Sequence, residues 1–65
     1  MQVTVNQRPT ELPEGATLAD AIRSLAPTGP YAAALNLEFV PKSQHAQTPL
    51  QAGDAIEVIA PVTGG

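Results

Sequence analysis

Val3 and Val5 alternate with Gln2, Thr4 and Asn6, the period of two that a strand with one buried face requires. A second alternation comes near the other end. Over Ala55–Ala60, Ile56 and Val58 fall on one face, Glu57 and Ile59 on the other. Between these strands the period changes. Leu18, Ile22 and Leu25 recur at spacings of four and three, with Ala21 and Ala26 beside them. That is one apolar stripe on a helix of about nine residues. Thr17 is placed to cap it, its hydroxyl accepting from the Asp20 amide, and Asp20 sits against the positive end of the helix dipole. Pro27 ends the helix, because it has no amide to donate and disfavours helical geometry in Ala26. So short a helix is not stable alone in water, so it must lie on the strands.

The remaining segments are shorter. Asn6-Gln7-Arg8-Pro9 reads as a turn, and Glu11-Leu12 as a short edge strand between Pro9 and Pro13. Pro13-Glu14-Gly15 is a second turn, and Thr28-Gly29-Pro30 is loop. Ala32–Leu35 sits in a window too short for a helix and reads as a strand, with a turn at Asn36-Leu37 and a return strand at Phe39-Val40. Pro41 to Ala52 reads as a long polar connection anchored by Leu50, and Gly53-Asp54 as a turn. The order is therefore strand, strand, helix, strand, strand, strand. The first and last strands are the most apolar, so they are expected side by side and parallel in the sheet centre, with the helix across one face. This is an α+β class with a mixed four- to five-stranded sheet. Residues 1–60 are expected to form the domain and 61–65 a flexible tail.

Composition narrows the chemistry. Sixty-five residues make one domain, and a chain so short buries only about 60% of its unfolded surface. The absence of cysteine excludes disulfides, thiolate zinc sites and iron–sulfur clusters, and the lone His45 has no metal-ligating neighbour in sequence. No bound cofactor or metal is expected. The apolar fraction of 43% against 14% charged argues for a globular domain over disorder. The net charge is −3, with Arg8, Arg23 and Lys42 scattered, so no basic stripe suits nucleic acid. There is no charged stretch leading into an apolar leader, and no apolar run nears the ~20 residues of a membrane span. A cytoplasmic protein is expected. His45 reads as a solvated loop histidine, and Arg23 and Lys42 as solubilising charges. Glu38, Asp54 and Glu57 read equally as contacts for a basic partner or as plain solvent-facing charges.

The sequence finishes on Pro61-Val62-Thr63-Gly64-Gly65. Glycine is ~7% of average usage, so such a pair falls there by chance about once in 200. An ordered core gains nothing from glycine at that place. A thin peptide can, however, thread a narrow cleft and present the α-carboxylate of Gly65. Pro61, lacking an amide, suits the end of sheet pairing, and Thr63 is a spacer. The plain alternative is a frayed terminus. On the body, Ala34, Phe39 and Ile59 are expected to form an exposed apolar patch for partner docking, with Leu37 an exposed tip. The competing reading has Phe39 wrap an edge of the core.

Leu35-Asn36-Leu37-Glu38-Phe39-Val40-Pro41, then Leu50, then Gly53-Asp54-Ala55-Ile56-Glu57-Val58, then Pro61 to Gly65, resemble the ThiS family of sulfur carriers in thiamine biosynthesis. The resemblance takes in nearly the whole chain, including Gln2 to Asn6 and the Thr17-capped helix. It implies the β-grasp, ubiquitin-like fold. It also implies that a ThiF-like adenylating enzyme consumes ATP to activate the Gly65 carboxylate. Sulfur from a donor such as a cysteine desulfurase then leaves a thiocarboxylate, which a ThiG-like thiazole synthase uses. The chain would then be a carrier and not an enzyme. Gly64 and Gly65 would be its reactive end, and Pro61, Val62 and Thr63 its tail. One departure stands out. The family often has Asn-Gly where this chain has Asn36-Leu37, and Leu is disfavoured at φ > 0, so a different or longer turn is expected there. Three other functions stay open: a carrier for molybdopterin or cysteine synthesis, a protein modifier acting through Gly65, and a β-grasp interaction module with an inert tail.

Overall fold

Two tight hairpins lie on either side of a central strand. The structure, a computed structural model, describes residues 1–26 and 30–59. In the first hairpin, β1 (Gln2–Val5) pairs antiparallel with β2 (Arg8–Glu11), Val5 opposite Arg8. In the second, β3 (Ala32–Leu35) pairs antiparallel with β4 (Glu38–Val40), Leu35 opposite Glu38. Strand β5 (Ala55–Ile59) joins them, parallel to β1 and antiparallel to β3. The sheet order is β2-β1-β5-β3-β4. The expected central parallel pair is thus β1 and β5. Asn6 lengthens that seam: its amide donates to the Ile56 carbonyl (2.9 Å) and its side-chain oxygen accepts from the Val58 amide (2.8 Å).

Both hairpins turn in two residues at positive φ: Asn6 (51°) and Gln7 (69°), then Asn36 (51°) and Leu37 (72°). This corrects two expectations. The first turn is only Asn6-Gln7, so Arg8 and Pro9 belong to β2, and Leu12 lies just past it, buried. Pro9 is tolerated because β2 is an edge strand. The second turn is neither longer nor of another kind; Leu37 takes the left-handed conformation at a cost of roughly 1–2 kcal/mol. Asn36 explains why it can. Its amide donates to the Ala55 carbonyl (2.7 Å), its side-chain oxygen accepts from the Ala55 amide (2.9 Å), and its side-chain nitrogen donates to Asp54 (3.1 Å). Those bonds tie the turn to the start of β5 and leave Leu37 86% exposed.

Helix α1 (Leu18–Leu25) packs on the sheet through Leu18, Ala21 and Ile22, all buried. Leu25, read as part of the stripe, is 42% exposed. Ala26 closes the helix in the left-handed conformation, its amide donating to the carbonyls of Ile22 and Arg23. Pro27, expected as the terminator, lies outside the described residues, as do Thr28 and Gly29 of the expected loop. The core beneath α1 is Val3, Val5, Ala33, Ile56 and Val58, with Leu12, Ala16 and Leu50 closing its rim.

The connection from Pro41 to Ala52 is not structureless. Lys42–Gln47 form a 3-10 helix that packs against α1. The chain after it is pinned to the start of α1, where Leu18 donates to Thr48 (2.8 Å) and Leu50 to Ala16 (3.0 Å). Leu50 is buried, as expected of an anchor.

Candidate functional site

Strand alternation and register sort the side chains onto two faces. Val3, Val5, Ile56, Val58 and Ala33 point to α1. The opposite face therefore carries Ala32, Ala34, Phe39, Glu57 and Ile59, since Ala34 pairs with both Phe39 and Glu57 and Ala32 pairs with Ile59. No described element covers this face. Phe39 is 68% exposed and Ile59 62%, so Phe39 does not wrap a core edge. The three expected docking residues Ala34, Phe39 and Ile59 thus share one open surface, and Leu37 stands at the tip of the adjoining hairpin.

Ile59 is also the last described residue before the C-terminal segment. Ala60 and the tail Pro61, Val62, Thr63, Gly64 and Gly65, with the expected domain boundary, lie outside the described residues. The open face runs up to the root of that segment.

The acidic residues divide by role. Asp54 is structural: one oxygen accepts from Asn36 and the other from the Gln51 amide (2.8 Å). Glu38 and Glu57 are exposed. Asp20 forms a reciprocal cap, its carboxylate accepting from the Thr17 amide (2.8 Å) while its own amide donates to the Thr17 hydroxyl (3.4 Å). The Thr17 amide bond, and then its hydroxyl, hold the Asp20 carboxyl below the ordinary carboxylate range, and Arg23 adds a smaller pull the same way. A carboxyl whose pKa is depressed by folding stabilises the fold above its unfolded value, and that stability is lost as pH falls through the folded value. Asp20→Asn should therefore be less stable than wild type at neutral pH, and the gap should shrink as pH drops below about 4. Thermal melts across that range check it; a constant gap would mean the charge is irrelevant.

His45 corrects an expectation. The sequence predicts a solvated loop residue, yet His45 is 5% exposed. Its Nε2 donates to the Val40 carbonyl (2.9 Å), and its ring stacks on Tyr31 with centroids 6.0 Å apart. Lys42 Nζ lies 5.4 Å from the centre of the Tyr31 ring. Among the described residues no cluster of His, Asp and Glu could hold a metal ion, and no helix is long and apolar enough to cross a membrane.

A mixed five-stranded sheet with this strand order, one main helix on one face and the other face open, is the β-grasp architecture of ubiquitin-like proteins. A family model described as the ThiS family matches residues 2–65, and the chain belongs to that family. Its structure is similar to the crystal structure of a thiamine biosynthesis protein (ThiS) from Geobacter metallireducens, with a TM-score of 0.80 and 25% identity over 100% of both chains. No curated protein matches in sequence.

Proposed function

We propose that this chain is a sulfur carrier of thiamine biosynthesis and that the main-chain carboxylate of Gly65 is its reactive group. The observation that carries this reading is the family match, which extends through Gly64-Gly65. The Geobacter metallireducens relative of the same fold is described as a thiamine biosynthesis protein.

The chemistry follows from the carboxylate. It is a poor acyl donor at neutral pH. Attack of a Gly65 oxygen on the α-phosphate of ATP releases pyrophosphate and leaves an acyl-adenylate. Hydrosulfide displaces AMP at the carbonyl carbon and gives the thiocarboxylate directly; a donor persulfide instead gives an acyl disulfide, whose S–S bond a thiol must then cleave to release the thiocarboxylate. These acyl species need shelter from water, which an enclosing partner can provide around a peptide without side chains. The body contributes docking. The open face of Ala34, Phe39 and Ile59, with Leu37 at its tip, offers apolar surface beside the root of the tail. Its partners in this scheme are an adenylating enzyme that consumes ATP, a sulfur donor and a thiazole synthase, and the compartment is the cytoplasm.

Incubation with the adenylating enzyme of the same cell, ATP and a sulfur source should replace one oxygen of the chain by sulfur, read by intact-protein mass spectrometry and placed at Gly65 by fragmentation. An unchanged mass after full activation of the enzyme's own ATP turnover would refute the carrier reading. Lysine adducts formed through Gly65 would instead mark a protein modifier.

A further inference from the structure

On the helix side of the molecule, away from the open face, a pocket of about 450 Å³ lies between the end of α1 and the 3-10 helix. Its wall joins the apolar Ile22 and Ala46 to Arg23, Tyr31, Lys42 and His45. The chain has three Lys and Arg residues in all and a net charge of −3. Two of those three cations meet here with the single histidine, and none of the six acidic residues lines the pocket. The charge is therefore segregated against the trend of the chain. The Lys42 head is also held in place. Lys42 rests over the Tyr31 ring, Tyr31 stacks on His45, and His45 is fixed by its bond to Val40. Arg23 contacts Asp20 at 3.3 Å from outside the pocket. That pair is exposed and weak, and a guanidinium has donors left for a second carboxylate.

Position gives the pocket its meaning. Tyr31 directly precedes β3, whose first residue Ala32 pairs with Ile59. Val40, opposite Ala33, leads through Pro41 to Lys42. The pocket therefore sits at the end of the sheet from which residues 60–65 continue. Six extended residues reach roughly 20 Å.

We propose that this pocket docks an acidic segment, one or more Asp or Glu carboxylates presented by the enzyme that receives the C-terminal residues. The segment would stand by the rim of that enzyme's cleft, whose receiving atom lies within roughly 20 Å of Ile59. Arg23 and Lys42 pair with it while Ile22, Tyr31 and Ala46 pack its stems. The identity of the partner rests on the carrier reading above; the preference of the pocket for carboxylates does not.

Two measurements test it. In steady-state adenylation, the double variant Arg23→Gln, Lys42→Glu should raise KM for the carrier about tenfold at low salt, leave kcat unchanged, and lose the difference as salt rises. Arg8→Glu, a charge change outside the pocket, should leave KM unaltered. Separately, a tetraglutamate peptide added to the wild-type protein should shift the amide resonances of Tyr31, Lys42 and Ala46, and should not shift them in the double variant. Unchanged KM together with no peptide-induced shift overturns the proposal. If the wild type is not adenylated at all, it is the carrier reading that fails, and the peptide titration alone then decides the pocket: shifts at those amides uphold it and their absence ends it. Should the double variant melt early, Lys42→Gln alone carries the same comparison.

Discussion

Removing Gly64-Gly65 should abolish sulfur loading and leave the domain folded. This is the largest functional effect expected of any change in the chain, because the carrier reading places the reactive atoms on the backbone of Gly65, where no side chain can stand in for them. The shortened chain would end on Thr63, whose branched side chain widens the terminus and restricts its backbone. The body should not register the loss. Its core is built from residues between Val3 and Val58. Thermal melts of the two forms should agree within roughly 0.5 kcal/mol, as for changes away from packed or bonded groups. Thiocarboxylate formation should fall below detection. A truncated protein that still accepts sulfur would move the reactive group elsewhere. One that keeps its cellular effect without accepting sulfur would make the chain a binding module.

The second large effect is on stability. Leu18 is fully buried, beneath the first turn of α1 and against the sheet. Leu18→Ala should cost about 2–5 kcal/mol, lost transfer energy plus the cavity left behind. A domain of 65 residues has only roughly 3–10 kcal/mol in total. The variant should therefore melt more than about 10 °C lower, and at the lower end of that range it is partly unfolded at room temperature. Truncating Phe39 on the open face removes a larger side chain at 68% exposure and should change stability by less than about 0.5 kcal/mol. Denaturant or thermal unfolding of both variants makes the comparison. Equal losses would mean that the open face is packed in solution and not free for docking.

The sequence was most legible where one signal had one cause. Thr17 and Asp20 announce the helix start because a cap is a local bond, and the period of Leu18 and Ile22 needs only a face to bury. The parallel meeting of β1 and β5 followed from their being the two most apolar strands. The misreadings came from interactions between residues far apart in the chain. Pro9 suggested a turn, but an edge strand tolerates it. Leu37 argued against a two-residue turn, because the bonds from Asn36 to Asp54 and Ala55 that hold the turn span eighteen and nineteen residues. His45 looked like a polar residue in a polar stretch; its burial depends on Tyr31 and the Val40 carbonyl. The 3-10 helix spans a polar stretch with no apolar stripe to mark it, so the segment reads as a connection. Of the candidate site, the open face of Ala34, Phe39 and Ile59 was readable from alternation alone. The cationic pocket was not, since Arg23 and Lys42 are nineteen positions apart and only the packing of the 3-10 helix against α1 brings them together.

The place of β5 between the two hairpins sets the order in which a growing chain can become useful. Until residues 55–59 have left the ribosome, the β1–β2 and β3–β4 halves share no ladder and the helix lacks the Ile56–Val58 floor on which it rests. A chain halted earlier is two unconnected hairpins and a loose amphipathic turn, open to proteolysis. The strand that completes the sheet is also the strand that leads into residues 60–65, so under the carrier reading the body can close only once the segment to be loaded is being made.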